Sequence, residues 1–129
     1  KITKTNINRS NVKDILHAIF RADILNVEVI YDIYKPLFTI DKIESIEDNM
    51  SYEINKYSKS EKYDTNINNP YGDGIHYYKH IERLYYTNMK PNYTGNWKCW
   101  LSSGELFSEI AYSDGKLVYS YYIKNLINT

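Results

Sequence analysis

The stretch Gly95-Asn96-Trp97-Lys98-Cys99-Trp100-Leu101-Ser102-Ser103-Gly104-Glu105-Leu106, continued by Glu109-Ile110-Ala111-Tyr112-Ser113-Asp114-Gly115-Lys116-Leu117, decides how the chain is read. Two turn signals, Ser103-Gly104 and Asp114-Gly115, separate short aromatic or aliphatic runs. Gly supplies the positive φ that tight hairpin turns require. Between the turns, Leu106, Ser108, Ile110 and Tyr112 alternate with Phe107, Glu109 and Ala111, so one strand face is apolar and the other mixed. This predicts consecutive antiparallel strands over residues 75–125, turning at 102–104 and 113–115.

Working outward, the pattern repeats in weakened form. A shift of 24 places Trp97 on Tyr121 and Gly95 on Tyr119, and a shift back of 21 places Gly95 on Gly74. Asn88-Met89-Lys90 takes the place of Asp114-Gly115-Lys116. Each unit would be one β-hairpin that buries its aromatic face by stacking on its neighbour. Gly95, Trp97, Trp100, Gly104, Leu106, Tyr112, Gly115 and Leu117 define the unit. On those residues, the segment 74–125 resembles the MORN repeat, and more closely the MORN-variant repeats of antitoxin-like proteins. Tyr119 and Met89 stand where that family expects Gly. The resemblance implies stacked hairpins that serve as scaffolds, dimerisation surfaces or lipid-binding surfaces. It also admits a toxin-neutralising role. It implies that Trp97, Trp100 and Tyr112 build the sheet.

The N-terminal half has another texture, with seven of the 20 aromatic residues in positions 1–64. Val12, Ile15, Leu16, Ile19 and Phe20 recur at spacings of three and four behind Ser10 and Asn11, which predicts an amphipathic helix. Val27 to Tyr34 alternates and reads as a strand stopped by Pro36, with a helix as the weaker alternative. Residues 38–40 and 51–54 suggest short strands, and the Ile40, Ile43, Ile46 series suggests either a helical turn or a charged connector. The polar stretch 56–74 is the loop or linker. The expected class is α+β: a helix-containing segment 1–64, followed by an antiparallel sheet of MORN-like hairpins in 65–129.

Composition narrows function. Sixteen basic and 16 acidic residues leave no net charge, and neither half is polarised. Nucleic acid is therefore not an expected partner, and membrane lipid is a poor one. A single cysteine, Cys99, fits a reducing compartment. No apolar run approaches a membrane-spanning helix and no signal-peptide pattern is present, so the expected location is cytoplasmic. Ile, Asn, Lys and Tyr supply 59 of the 129 residues. Their codons are A/T-rich, which points to a genome such as that of a giant virus, a parasite or a low-GC bacterium.

Candidate chemistry is thin. His76 and His80 are four apart, but on a strand that spacing separates them by about 13 Å. His17 lies beside the apolar stripe and reads as core edge or surface. Cys99 beside Trp100 reads as packing. The acids Asp41, Glu44, Glu47 and Asp48 could serve a metal-dependent hydrolase or nuclease, although alternation with Ile more often marks a solvated face. No clustered His, Cys and carboxylate set is expected, and neither catalytic residues nor a cofactor are assigned. Paired tyrosines such as Tyr77-Tyr78, Tyr85-Tyr86 and Tyr121-Tyr122 would place one ring on each face of a strand. The alternative is a sheet covered on both faces by its own chain. The leading expectation is a non-catalytic protein-binding or assembly module that captures a protein partner or self-associates. Its contact surface would be Tyr119, Tyr121 and Tyr122 on the last strand, which carries only Lys124 as a charged guard.

Overall fold

The computed structural model describes residues 3–46 and 49–122, with side chains to Val118. Its strands are β1 (Phe20–Ala22), β2 (Ile24–Asn26), β3 (Tyr31–Asp32), β4 (Lys35–Thr39), β5 (Lys42–Glu44), β6 (Ser51–Glu53), β7 (Tyr57–Lys59), β8 (Ile75–Tyr77), β9 (Gly95–Trp100), β10 (Leu106–Ser113) and β11 (Lys116–Tyr122). A 3-10 turn, Glu82–Tyr86, precedes β9. The expected α+β class is thereby overturned: among the described residues there is no α-helix, and the chain is built from small antiparallel sheets.

The N-terminal helix fails for a local reason. Asp14 Oδ1 accepts the Leu16 N–H at 3.0 Å, a turn that competes with helix propagation. The N–H groups of Lys13 and Asp14 donate to the Ser103 carbonyl, and that of Ile19 to Ser102. Ile15 and Leu16 stay half exposed while Ile19 and Phe20 are buried, so the stripe does not bury as one helical face. Phe20 enters β1 instead. The expected strand 27–34 contracts to Tyr31–Asp32, and Pro36 lies inside β4 rather than ending a strand. It is tolerated because β3 and β4 form a two-stranded ribbon in which each strand is an edge. The Ile40–Ile46 series, expected as helical turn or connector, contains strand β5. Of the strands expected from residue 75 onward, the first breaks after Tyr77 and gives way to the 3-10 turn, so no hairpin lies between β8 and β9.

The contacts divide the chain into two units, Lys1–Ser10 with Phe20–Tyr77, and Asn11–Ile19 with Tyr78–Thr129. In the first unit β1 pairs β8, β2 pairs β7, β3 pairs β4 and β5 pairs β6, all antiparallel. Its buried apolar side chains among the described residues are Phe20, Ala22, Ile24 and Ile75. That is little, and polar groups do much of the organising. Arg21 is fully buried. Its Nε donates to the Asn69 carbonyl at 2.9 Å, Nη1 to the carbonyls of Asp64 (2.9 Å) and Asp73 (2.8 Å), and Nη2 to that of Asn66 (2.9 Å). The polar stretch expected as a linker is thus wrapped around one guanidinium. The Arg21 fork also lies over the Tyr63 ring, 5.1 Å from its centroid.

The second unit holds the meander β9-β10-β11. Its turns fall where Ser-Gly and Asp-Gly placed them. Asp114 (φ 50°) and Gly115 (φ 78°) supply the two positive φ values of a tight hairpin. Gly104 (φ 93°) meets segment 11–19 so closely that a Cβ would collide with the Asp14 carbonyl.

Replacing Arg21 with Met keeps the bulk but strands four carbonyl oxygens. The expected loss is at least about 3 kcal/mol of unfolding free energy, from several unmet buried acceptors. Urea denaturation checks it; a change under about 0.5 kcal/mol would contradict the role given to the guanidinium.

Candidate functional site

The second unit contains two groupings that bear on function: an aromatic ladder with a doubly paired histidine, and strand β11, whose one sheet neighbour among the described residues is β10.

Trp97 and Trp100 sit on β9. A regular strand would put residues three apart on opposite faces. Tyr86 nevertheless makes edge-on contacts with both, at 5.3 and 5.4 Å between ring centroids. It comes from the 3-10 turn packed beside β9, and the register of β9 with β10 is irregular between Leu106 and Ser108. Such a bulge increases local twist. Tyr93 continues the ladder against Trp97 at 5.2 Å, and His17 ends it, stacked on Trp100 at 5.2 Å and 10°.

His17 is held from both sides. Its Nδ1 lies 2.7 Å from Asp14 Oδ2 and its Nε2 2.6 Å from Glu82 Oε1. The sequence reading expects no joint cluster of His, Cys and carboxylate; His17 gathers two carboxylates and no cysteine. Burial opposes the charged ring, but the hydrogen bonds and negative charges of Asp14 and Glu82 outweigh it, and His17 titrates above its ordinary value. Burial likewise opposes ionisation of Asp14. The His17 bond and charge, together with N–H groups of its own turn, prevail and lower it. With both ring nitrogens engaged, the imidazolium is a clamp between segment 11–19 and the 3-10 turn. It has no free nitrogen for a proton transfer or a metal.

Arg83, beside Glu82, ties segment 11–19 to the C-terminal end of β9. Its Nη1 donates to the carbonyls of His17 (2.6 Å) and Leu101 (2.9 Å), and Nη2 donates to Trp100 O (3.2 Å). The guanidinium lies over the Tyr78 ring at 5.1 Å.

The repeat-defining residues divide in role. Gly95 (φ 133°) opens β9, with a Cβ position 3.0 Å from Tyr93 Oη. Leu106 pairs with Trp100, and Tyr112 lies between Gly95 and Leu117 in the register. Leu106 and Tyr112 are half-buried, whereas Leu117 is exposed. Tyr119, Tyr121 and Tyr122 pair through backbone with Ala111, Glu109 and Ser108. Their side chains and Lys124 lie outside what the structure describes. The register slips between Ala111 and Tyr112, which leaves Val118 as the extra residue of a bulge. Among the described residues β11 has β10 as its one sheet neighbour.

The other sequence candidates do not converge. Among the described residues no three His, Cys, Asp or Glu side chains are placed to share a metal ion. Asp41 and Glu44 are exposed around β5, and Glu47 and Asp48 lie outside the described residues. Nδ1 of His80 accepts the Glu82 N–H at 3.1 Å. Cys99 is free and exposed. Sequence reasoning missed Arg21, Arg83 and the His17 clamp. One signal was present: the chain has three arginines against 13 lysines, and a carbonyl-rich site needs the fixed fork of Arg. No helix among the described residues is long and apolar enough to cross a membrane. No family model matches the chain, nor does any curated protein or solved structure.

The clamp has a defined pH signature. A raised His value contributes stability fully below the unfolded value near 6.5, and this is lost as pH rises through the folded value. The lowered Asp14 value adds stability that disappears only in acid. His17→Gln should therefore cost roughly 1–3 kcal/mol near pH 6, as expected for hydrogen bonds to a charged group, and less at pH 9. Thermal melts of both proteins across pH check this; a penalty that is flat with pH would refute the clamp.

Proposed function

We propose that this chain is a non-catalytic protein-binding or assembly module that acts through its β-meander, in the manner the MORN-like hairpin pattern suggests. The observation that carries the reading is the unequal treatment of the meander's two edges. Arg83 meets the Trp100 carbonyl at the C-terminal end of β9, and the 3-10 turn packs beside that strand. The outer edge of β11 has no such cover among the described residues, and Leu117 and Val118 beside it are exposed. An uncovered edge presents backbone donors and acceptors that a strand from another chain can satisfy. The simplest such strand is β11 of a second copy, related by a two-fold axis. The bulge at Val118 interrupts regular pairing there, so the contact would use Tyr119 to Tyr122. The commitment of both His17 nitrogens supports the non-catalytic side of the reading. Exposed, unpaired Cys99 supports a reducing, cytoplasmic setting.

Light scattering of the wild type and of Tyr121→Asp tests the edge. Self-association of the wild type at tens of micromolar, about the range of a weak specific contact, with a lower mean mass in the variant, is the expected result. A monomeric wild type, or a mass indifferent to the substitution, would refute it.

A further inference from the structure

The His17 clamp is built from two unlike arms. Asp14 lies three residues before His17, in the same turn, and its carboxylate is tied down twice: Oδ1 accepts the Leu16 N–H and Oδ2 meets His17 Nδ1. Glu82 comes from the 3-10 turn, 65 residues away, on a longer side chain. Among the described residues its carboxylate has no partner other than His17 Nε2. At 2.6 Å that contact needs a proton between the two atoms, because a bare ring nitrogen and a carboxylate oxygen are both acceptors. The charged ring carries a proton on each nitrogen, and the neutral ring carries one. Losing a single proton therefore leaves one of the two arms facing a lone pair.

We infer that His17 is a proton-operated latch: when the ring becomes neutral the Glu82 arm lets go, while the Asp14 arm holds. Asp14 cannot withdraw without breaking its own turn, in which its carbonyl also accepts the His17 and Ala18 N–H groups. Glu82 can swing into water and regain side-chain freedom. The neutral ring thus keeps its proton on Nδ1. The other groups facing the ring leave this choice in place. Nδ1 of His80, whose ring centroid is 6.1 Å away, accepts the Glu82 N–H and supplies no proton to the clamp. Arg83 donates to the His17, Leu101 and Trp100 carbonyls and not to the ring. It keeps the 3-10 turn tethered after Glu82 leaves, so the opening is local. What loosens is the contact of Tyr86 with Trp97 and Trp100. Trp100 stays stacked on the held imidazole. Burial opposes the charged ring, but the bonds and charges of the two carboxylates lift its titration above 6.5. The latch is therefore closed below that value and opens as pH climbs through the raised one.

Long-range proton–nitrogen NMR of the imidazoles, between about pH 5 and about pH 9 to bracket histidine titration, tests the latch. The spectrum of His17→Gln identifies the His17 signals by their loss. The wild type should show both His17 nitrogens protonated at low pH and only Nδ1 protonated at high pH. Amide exchange reads the opening itself. The Leu84 N–H bonds the Ile81 carbonyl within the 3-10 turn. Its protection, corrected for base catalysis, should fall several-fold through the His17 midpoint. In Glu82→Gln the protection should stay level, because the amide can donate to the bare Nε2 and keep the arm in place. A neutral wild-type ring protonated on Nε2, a Leu84 protection that ignores the His17 midpoint, or an equal fall in Glu82→Gln would each overturn the inference.

Discussion

In the first unit, ordering a long polar loop depends on one guanidinium. Residues 64–73 are rich in Asn, Asp and Gly and have almost nothing apolar to bury. Backbone carbonyls from four of these residues converge on Arg21. A guanidinium removed from water costs several kcal/mol unless its donors are met, and the loop meets them. The loop in turn gains a geometry its own composition cannot specify. β1, which carries Arg21, is itself held: Asn6 Oδ1 accepts the Arg21 N–H at 2.8 Å, and β8 pairs along its length. The short strands β1 and β8 are thus ordered by polar convergence as much as by Phe20 and Ile75.

The second unit uses a different device toward the same end. Rings of His17, Trp100, Tyr86, Trp97 and Tyr93 touch in succession. Such contacts add to simple burial because edge-on and offset geometries suit the ring quadrupole. The ladder begins on segment 11–19, which is distant in sequence from the meander. Asp14 and Glu82 fix the His17 ring from both sides, and Gly104 lets the two backbones meet. Segment 11–19 is therefore tied to the 102–104 turn by backbone hydrogen bonds, by a charged clamp and by stacking.

These devices leave an uneven surface. β9 is met at its C-terminal end by Arg83 of its own chain, whereas among the described residues β11 has β10 as its one sheet neighbour. The β3–β4 hairpin carries apolar residues that the small first-unit core does not take in.

The sequence by itself determined the meander. Its information is local: Asp-Gly and Ser-Gly dictate positive φ, and period-two alternation over Leu106–Tyr112 dictates a strand with one inward face. Each can be evaluated within ten residues. The stripe Val12–Phe20 was equally regular yet misled, because a helix also needs its backbone donors. The Asp14 carboxylate claims the donor of Leu16, and the Ser102 carbonyl claims that of Ile19. Likewise, neither His17 with Glu82 nor Arg21 with the carbonyls of 64–73 can be read from spacing, since the partners are 43 to 65 residues apart. Only the tertiary structure decided those sites, because a hydrogen bond is satisfied by whatever the fold brings within 3 Å, and sequence distance has no part in that.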